Sequence, residues 1–222
     1  LGQGQTIRSC RLTGGSTVNL MVESNGTATD CLIVGSLFGI ATYGSGVATI
    51  QNCTVAGAGI GLLLQAPSSG ARILRANNCI LRNNLDFDLA GASSLRLDHC
   101  DVPGAAGPGC IDADPMFTNA PGPDGVYDLD DDYTLRPGSP CIDAGSNASR
   151  TATNAVATPL DAAWSNRFVD DPAASGSGVD MGAFEFAPTP PALPGCPIDF
   201  NNDGFVDFFD YDDFVAAFEN GC

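Results

Sequence analysis

The chain has no lysine, and its nine basic residues are all arginine. Against 26 Asp and Glu they leave a formal net charge of −17. That excludes a nucleic-acid binder, which needs a basic patch to neutralise phosphates, and it disfavours adhesion to an anionic membrane. No apolar run approaches the 18 or so residues of a membrane-spanning helix, so membrane insertion is not expected. Aromatic residues make up only 8%, with a single Trp. The single His, His99, flanks Cys100 and is read as a solvent-facing side chain. No Ser-His-Asp arrangement and no Gly-rich phosphate loop is evident. The apolar content of 44% nevertheless supports a core, and 222 residues make room for one ordinary domain and a small second one.

The acidity is lopsided. Residues 1–100 carry 5 acids and 6 Arg, whereas residues 101–222 carry 21 acids and 3 Arg. An acidic half of this kind suits calcium, salt tolerance or plain solubility. Nine cysteines fit an extracytoplasmic setting, and their spacing is more informative than their number.

Cys10, Cys31, Cys53, Cys79 and Cys100 are separated by 21, 22, 26 and 21 residues. A recurrence of 20–25 residues marks a solenoid. Two residues after each Cys stands Leu12, Ile33, Val55, Leu81 or Val102. Strand side chains alternate, so each Cys and its apolar follower face the same side, toward a core. Four residues after each Cys stands Gly14, Gly35, Gly57, Asn83 or Gly104, types that tolerate a turn with positive φ. Between the cysteines lie further apolar clusters, among them Val18, Leu20 and Met21, and Ile60, Leu62 and Leu64. These are read as the other strands of each coil. The pattern resembles right-handed parallel β-helix proteins, with about 22 residues per rung. The fold class expected is therefore all-β, with the five thiols stacked as a buried ladder of free cysteines.

From about residue 101 the repeat becomes irregular. Here stand Cys110-Ile-Asp-Ala-Asp-Pro-Met-Phe117, Ser139-Pro-Cys-Ile-Asp-Ala-Gly145, Asn166-Arg-Phe-Val-Asp-Asp171 and Val179-Asp-Met-Gly-Ala-Phe-Glu-Phe186. Together they look like the closing rungs of secreted bacterial β-helix proteins of the planctomycete type. The solenoid is accordingly expected over residues 1–186. The repeated Cys-Ile-Asp-Ala leads to equivalent rung positions and a Cys110–Cys141 disulfide as expectations. Asp128, Asp130 and Asp132 either hold a calcium ion or cap an acidic turn.

Residues 187–194 are Pro-rich and read as a stiff linker. Beyond them, in the module 195–222, lies Asp199-Phe-Asn-Asn-Asp-Gly-Phe-Val-Asp-Phe-Phe-Asp210. As a 12-residue loop it sets Asp199, Asn201, Asp203, the Phe205 carbonyl, Asp207 and Asp210 at the calcium-ligand positions, with Gly204 at the sharp turn. An EF-hand has Glu at position 12. Asp210 there makes the loop resemble a dockerin repeat, of which this chain has one rather than the usual pair. The resemblance implies calcium as a cofactor and a protein docking partner. Cys196 and Cys222 bracket the unit and are expected to close it as a disulfide.

An enzyme is the alternative, because parallel β-helices often act on polysaccharides. Lyases need a strong base, and with no Lys the nearest approach to a basic cluster is Arg72, Arg75 and Arg82. Hydrolases need paired carboxylates, for which Asp86 and Asp88 with Asp112 or Asp114 are the candidates. Tyr43, Tyr127 and Tyr133 form no obvious glycan platform. The functional expectation is an extracellular structural or interaction protein, a rigid rod with a calcium-dependent docking tail. Leu1 falls mid-rung without an evident cap. The open strand edges are expected to be covered by a second copy stacked head-to-tail or by further rungs upstream.

Overall fold

A computed structural model describes residues 1–188 except 65–69, 90–92, 105, 148–159, 175 and 177, together with Val215. The chain divides into two units, Leu1–Ala187 and Pro188–Cys222. Of the second only Pro188 and Val215 are described.

The first unit is built from rungs of three short strands. Rung one holds β1 (Thr6–Arg8), β2 (Arg11–Leu12) and β3 (Val18–Val22). Rung two holds β4 (Thr27–Thr29), β5 (Leu32–Val34) and β6 (Phe38–Thr42). Rung three holds β7 (Gly46–Gln51), β8 (Thr54–Ala56) and β9 (Ile60–Leu64), and rung four β10 (Arg72–Asn77), β11 (Ile80–Arg82) and β12 (Asp86–Leu89). Strand β13 (Ser93–Asp98) opens a fifth. Like strands stack in parallel into three sheets, in the orders β1-β4-β7-β10-β13, β2-β5-β8-β11 and β3-β6-β9-β12. The register pairs Thr6 with Thr27, Thr27 with Thr49, Thr49 with Arg75 and Arg75 with Arg96. Those steps of 21, 22, 26 and 21 residues equal the cysteine gaps, so each Cys marks one fixed point on the coil.

That point is a corner. The residue just before each Cys has positive φ: Ser9, Asp30, Asn52, Asn78 and His99, between 47° and 54°. Asn and Asp visit this region most readily among residues with a Cβ, because their short polar side chains bond locally. The predicted turn positions Gly14, Gly35, Gly57, Asn83 and Gly104 also have positive φ, between 59° and 76°. Two sharp corners per rung therefore repeat with the sequence.

Between the corners, inward side chains stack in rows. One row runs Ile7, Ala28, Ile50, Ala76, Leu97, large alternating with small, so that neighbouring rungs interdigitate. Cys31, Cys53, Cys79 and Cys100 are fully buried free thiols. Each S–H of Cys10, Cys31, Cys53 and Cys79 reaches the carbonyl two residues earlier at 3.1–3.2 Å. Burial pushes the Cys79 thiol up, away from the reactive thiolate. The ladder acts as small apolar packing, as the spacing predicts.

The closing segment departs from expectation. After Val102 one further bridge, Asp101 to Ile111, continues the coil. The chain then folds back as a strap over the outer face of the second sheet. Strand β14 (Phe117–Asn119) pairs antiparallel with β15 (Asp132–Leu135). Phe117, Tyr133, Leu135, Cys141, Ile142, Met181 and Phe184 form a second core against outward Leu32, Val34, Ala56 and Ile80. Phe117 meets Tyr133 edge-on, with centroids 5.4 Å apart. Arg11 lies over the Phe184 ring at 5.2 Å. The second sheet is thus buried on both faces, which explains the unbroken apolar run Leu32-Ile-Val34.

The strap is also pinned by backbone. Gly182 N–H donates to Asn78 O and Ala183 N–H to Thr54 Oγ1, both at 2.9 Å. Asn78, fully buried at its corner, donates Nδ2–H to Ser146 O at 3.1 Å and accepts from Ser146 N–H at 2.8 Å. Asn78→Ala should cost about 2 kcal/mol, from two orphaned strap groups and a positive φ that Ala tolerates poorly. Thermal denaturation checks this. A melting temperature equal to that of the parent would show the corner carries no such load.

Candidate functional site

The densest polar cluster lies where the strap meets the solenoid. Its centre is Arg167, wholly buried. Its Nη1–H donates to Gly182 O at 2.9 Å and its Nη2–H to Ala183 O at 2.7 Å. Nη2 also pairs with Asp30 at 3.2 Å, at a solenoid corner, and Nη1 with Glu185 at 3.5 Å. A planar guanidinium suits this fork of two carbonyls and two carboxylates, which an ammonium could not span.

The carboxylates around it are spent on backbone. Glu185 accepts from Val169 N–H at 3.3 Å and Asp180 N–H at 3.2 Å. Asp180 accepts from Asp143 N–H at 2.7 Å and Phe186 N–H at 2.5 Å. Asp161 accepts from Ala163, Ser165 and Glu185 N–H at 2.8–3.0 Å. Asp143 Oδ2 accepts from Asp171 N–H at 3.0 Å. Loop backbone cannot be buried without such acceptors, and short acidic side chains supply them. Burial raises Asp180 to about 6, against the pull of nearby Arg167. Burial, then the Asp180 charge, raises Glu185 to about 9.

A second clamp ends the coil. Arg82 on β11 bonds Asp101 through Nε at 2.9 Å and through Nη2, and reaches Asp112 at 2.8 Å. Asp112 in turn accepts from Gly104 N–H at 2.8 Å. Buried Cys141 donates S–H to Asp101 Oδ2 at 3.6 Å. Burial and that carboxylate push its thiol up.

These contacts place the candidates of the sequence. The Cys110–Cys141 disulfide is not formed, for both cysteines are free. Cys110 extends the internal ladder, its sulfur accepting from Cys100 N–H at 3.4 Å, while Cys141 belongs to the outer core beneath the strap. The shared Cys-Ile-Asp-Ala string thus serves two different faces. Asp128 Oδ1 caps Asp130 N–H and Asp132 Oδ1 caps Thr134 N–H, at 2.9 and 3.0 Å. Asp131 between them binds Gly122 N–H at 2.6 Å. Among the described residues no three His, Cys, Asp or Glu side chains gather as a metal site. The calcium loop Asp199, Asn201, Asp203, Phe205, Asp207 and Asp210, and the pair Cys196 and Cys222, lie outside the described residues.

Arg72, Arg75 and Arg82, the nearest approach to a basic cluster in the sequence, do not come together. Arg72 points into the solenoid and bonds Thr42 and Gly44 carbonyls, Arg75 is exposed on the opposite face of its strand, and Arg82 is held by Asp101. Asp114 caps Met116 N–H at 2.9 Å, and Asp112 is taken by Arg82. The side chains of Asp86 and Asp88 lie outside the described residues. His99 Nδ1 lies 2.7 Å from Asp98. Tyr43 is exposed, Tyr127 packs beside Gly57, and Tyr133 sits in the outer core. Arg167, Asp30, Asp161, Asp180 and Glu185 escaped the reading of single residues. Their signal was present in the strings Asn166-Arg167 and Asp180-Met-Gly-Ala-Phe-Glu185.

Residues 1–114 match the family described as the right handed beta helix region. No curated protein and no solved structure matches.

Proposed function

The chain belongs to the right-handed β-helix family, and on that premise we propose that it is a non-enzymatic extracellular structural and interaction protein. The solenoid is its rigid rod, and the tail beyond the linker is a calcium-dependent docking module. Copies join head-to-tail or through a protein partner. One observation carries this reading. The carboxylates and arginines best placed by burial for chemistry, Asp101, Asp161, Asp180, Glu185, Arg82 and Arg167, are engaged in holding strap and coil together. Such engagement stiffens a scaffold and takes these six side chains out of acid–base work toward a substrate. No helix among the described residues is long and apolar enough to cross a membrane.

The tail's role rests on its donor set. Asp199, Asn201, Asp203, Asp207 and Asp210 are hard oxygen donors at alternating positions, which suit calcium rather than a soft metal. A second reading, an acidic-glycan binder or a polysaccharide-degrading enzyme, draws support from exposed Arg75 and Arg96, adjacent in register on the first sheet.

Negative-stain electron microscopy of the full chain, in calcium and then in chelator, tests the first reading. Fibres or ordered oligomers that dissolve on chelation are expected. Monomers under both conditions would remove self-assembly. Release of reducing ends from an acidic polysaccharide would establish the second reading in its place.

A further inference from the structure

The outer faces of the solenoid differ in charge. On the first sheet Leu74, Ala76, Leu95 and Leu97 point into the core, so Arg75 and Arg96 point outward, and both are exposed. They are direct partners in the register of β10 and β13, with backbones about 4.8 Å apart. Like charges set opposite one another on a sheet repel. Their row continues through Thr49, Thr27 and Thr6, which bring hydroxyls and no charge. The one acid on the outward side of these five strands, Asp98, is turned to His99 Nδ1 at 2.7 Å. Among the described residues neither Arg75 nor Arg96 meets a carboxylate, whereas Arg82 and Arg167 are each held by two. A chain of net charge −17 thus keeps an uncompensated pair of cations on one face.

The strands of this sheet hold no aromatic residue, so a sugar ring finds no platform there, and charge is what the face offers. The repulsion between the two guanidinium groups is relieved by a partner that brings adjacent negative charges. The same chain supplies one. Residues 195–222 carry six Asp, one Glu and no Arg or Lys. Calcium on the loop would neutralise two of those charges and leave the segment acidic. Asp212 and Asp213 stand beyond the loop, next to each other, and are not among its ligand positions.

We infer that the acidic tail of one copy docks on the basic face of a second copy, with Asp212 and Asp213 set against Arg75 and Arg96. The inference rests on the docking-tail reading above and names the surface that receives the tail. A guanidinium suits the task, because its planar fork takes a carboxylate through two parallel hydrogen bonds. Every copy carries both halves, so the contact either closes a symmetric pair or propagates as a chain. Exposed ion pairs are individually weak and are screened by salt, so the joint is reversible and strengthens where several copies line up.

Charge reversal on each half tests the joint. Sedimentation velocity of the full chain in calcium buffer, over a concentration series, should show larger species that recede between about 0.05 and about 0.5 M salt. Arg75→Glu with Arg96→Glu should weaken association about tenfold, and Asp212→Arg with Asp213→Arg should do the same. An equimolar mixture of the two variants should associate like the parent, because each reversed half then meets an opposite charge. Melting curves and calcium titration confirm that both variants fold and keep the loop. Parent-like association in either variant, or loss in both without rescue in the mixture, overturns this joint and leaves self-assembly to another surface. A parent that stays monomeric at the highest concentration and low salt overturns both. An acidic oligosaccharide whose binding is lost with Arg75→Glu and Arg96→Glu, beside parent-like self-association, overturns the joint and assigns the face to a glycan.

Discussion

Replacing Arg167 by alanine is expected to destabilise the protein by about 3–5 kcal/mol, the range for breaking a buried ion pair from one side. The guanidinium is wholly buried and meets four acceptors: the carbonyls of Gly182 and Ala183 and the carboxylates of Asp30 and Glu185. Alanine orphans all four in a place that water reaches poorly, and each orphan carries its desolvation penalty. The loss falls on the strap, because Arg167 joins it to a corner of rung two through Asp30. Limited proteolysis should therefore cut residues 114–186 before it cuts the stacked rungs. In thermal denaturation the change corresponds to a drop of about 10 °C for a chain of this size. Arg167→Lys should recover only part of it, since an ammonium cannot serve the fork of carbonyls and carboxylates together. A variant that melts within about 2 °C of the parent, with an unchanged digestion pattern, would show that the strap is held by its apolar contacts alone.

The strap is also where sequence reading stops working, for a physical reason. The coil repeats, so every rung restates the same demands. A thiol-sized residue must follow each corner, an apolar residue must stand two places on, and a positive-φ residue four places on. Cys31, Ile33 and Gly35 meet those demands, and Cys53, Val55 and Gly57 meet them again. The strap does each thing once. Ala183 finds Thr54 across 129 residues of chain, and no period announces such a pair. Alternation from Cys31 and Ile33 turns Leu32 and Val34 to the outer face, yet they are covered, and the sequence hints at this only in an apolar run too continuous for a one-sided sheet. The Cys-Ile-Asp-Ala string misled because local sequence was taken for equivalent position. Asp112 ends up against Arg82, while Asp143 is buried with a φ of +54° and receives Asp171 N–H. Composition carried a similar trap. The acidic half holds only three arginines, and a count does not say that one of them, Arg167, is the pivot of a buried network.

That network should make the fold lose stability as the solution becomes alkaline. The sign follows from which state holds more protons. Glu185, ordinarily near 4.5, is raised to about 9 by burial and by the Asp180 charge. Asp180 is raised from 3.8 to about 6 by burial, and Asp101 and Asp143 are raised by burial as well. Between the unfolded and folded values the native chain binds more protons than the unfolded one, so stability falls as pH rises through that window. Asp112 is lowered by the Gly104 N–H and by Arg82, which has the opposite sign, but it is exposed and acts only at acid pH. The charged groups acting on Glu185 are Arg167 and Asp180, and once Glu185 ionises two negative carboxylates stand together beside one guanidinium. The melting temperature should be highest near pH 4, at the unfolded carboxyl values, and fall toward pH 9.5, a loss on the order of 3–6 kcal/mol if most of the Glu185 shift is realised. Glu185→Gln lacks the titrating proton. It should start lower, because an amide offers one acceptor where the carboxyl offers two, and then lose much less stability as pH rises. Parallel pH curves for parent and variant would mean that Glu185 titrates alike in both states. The fall would then belong to charges elsewhere on the chain. A slope that flattens only in the variant places a neutral acid inside the clasp at physiological pH, where its proton spares the strap a second buried negative charge beside Asp180.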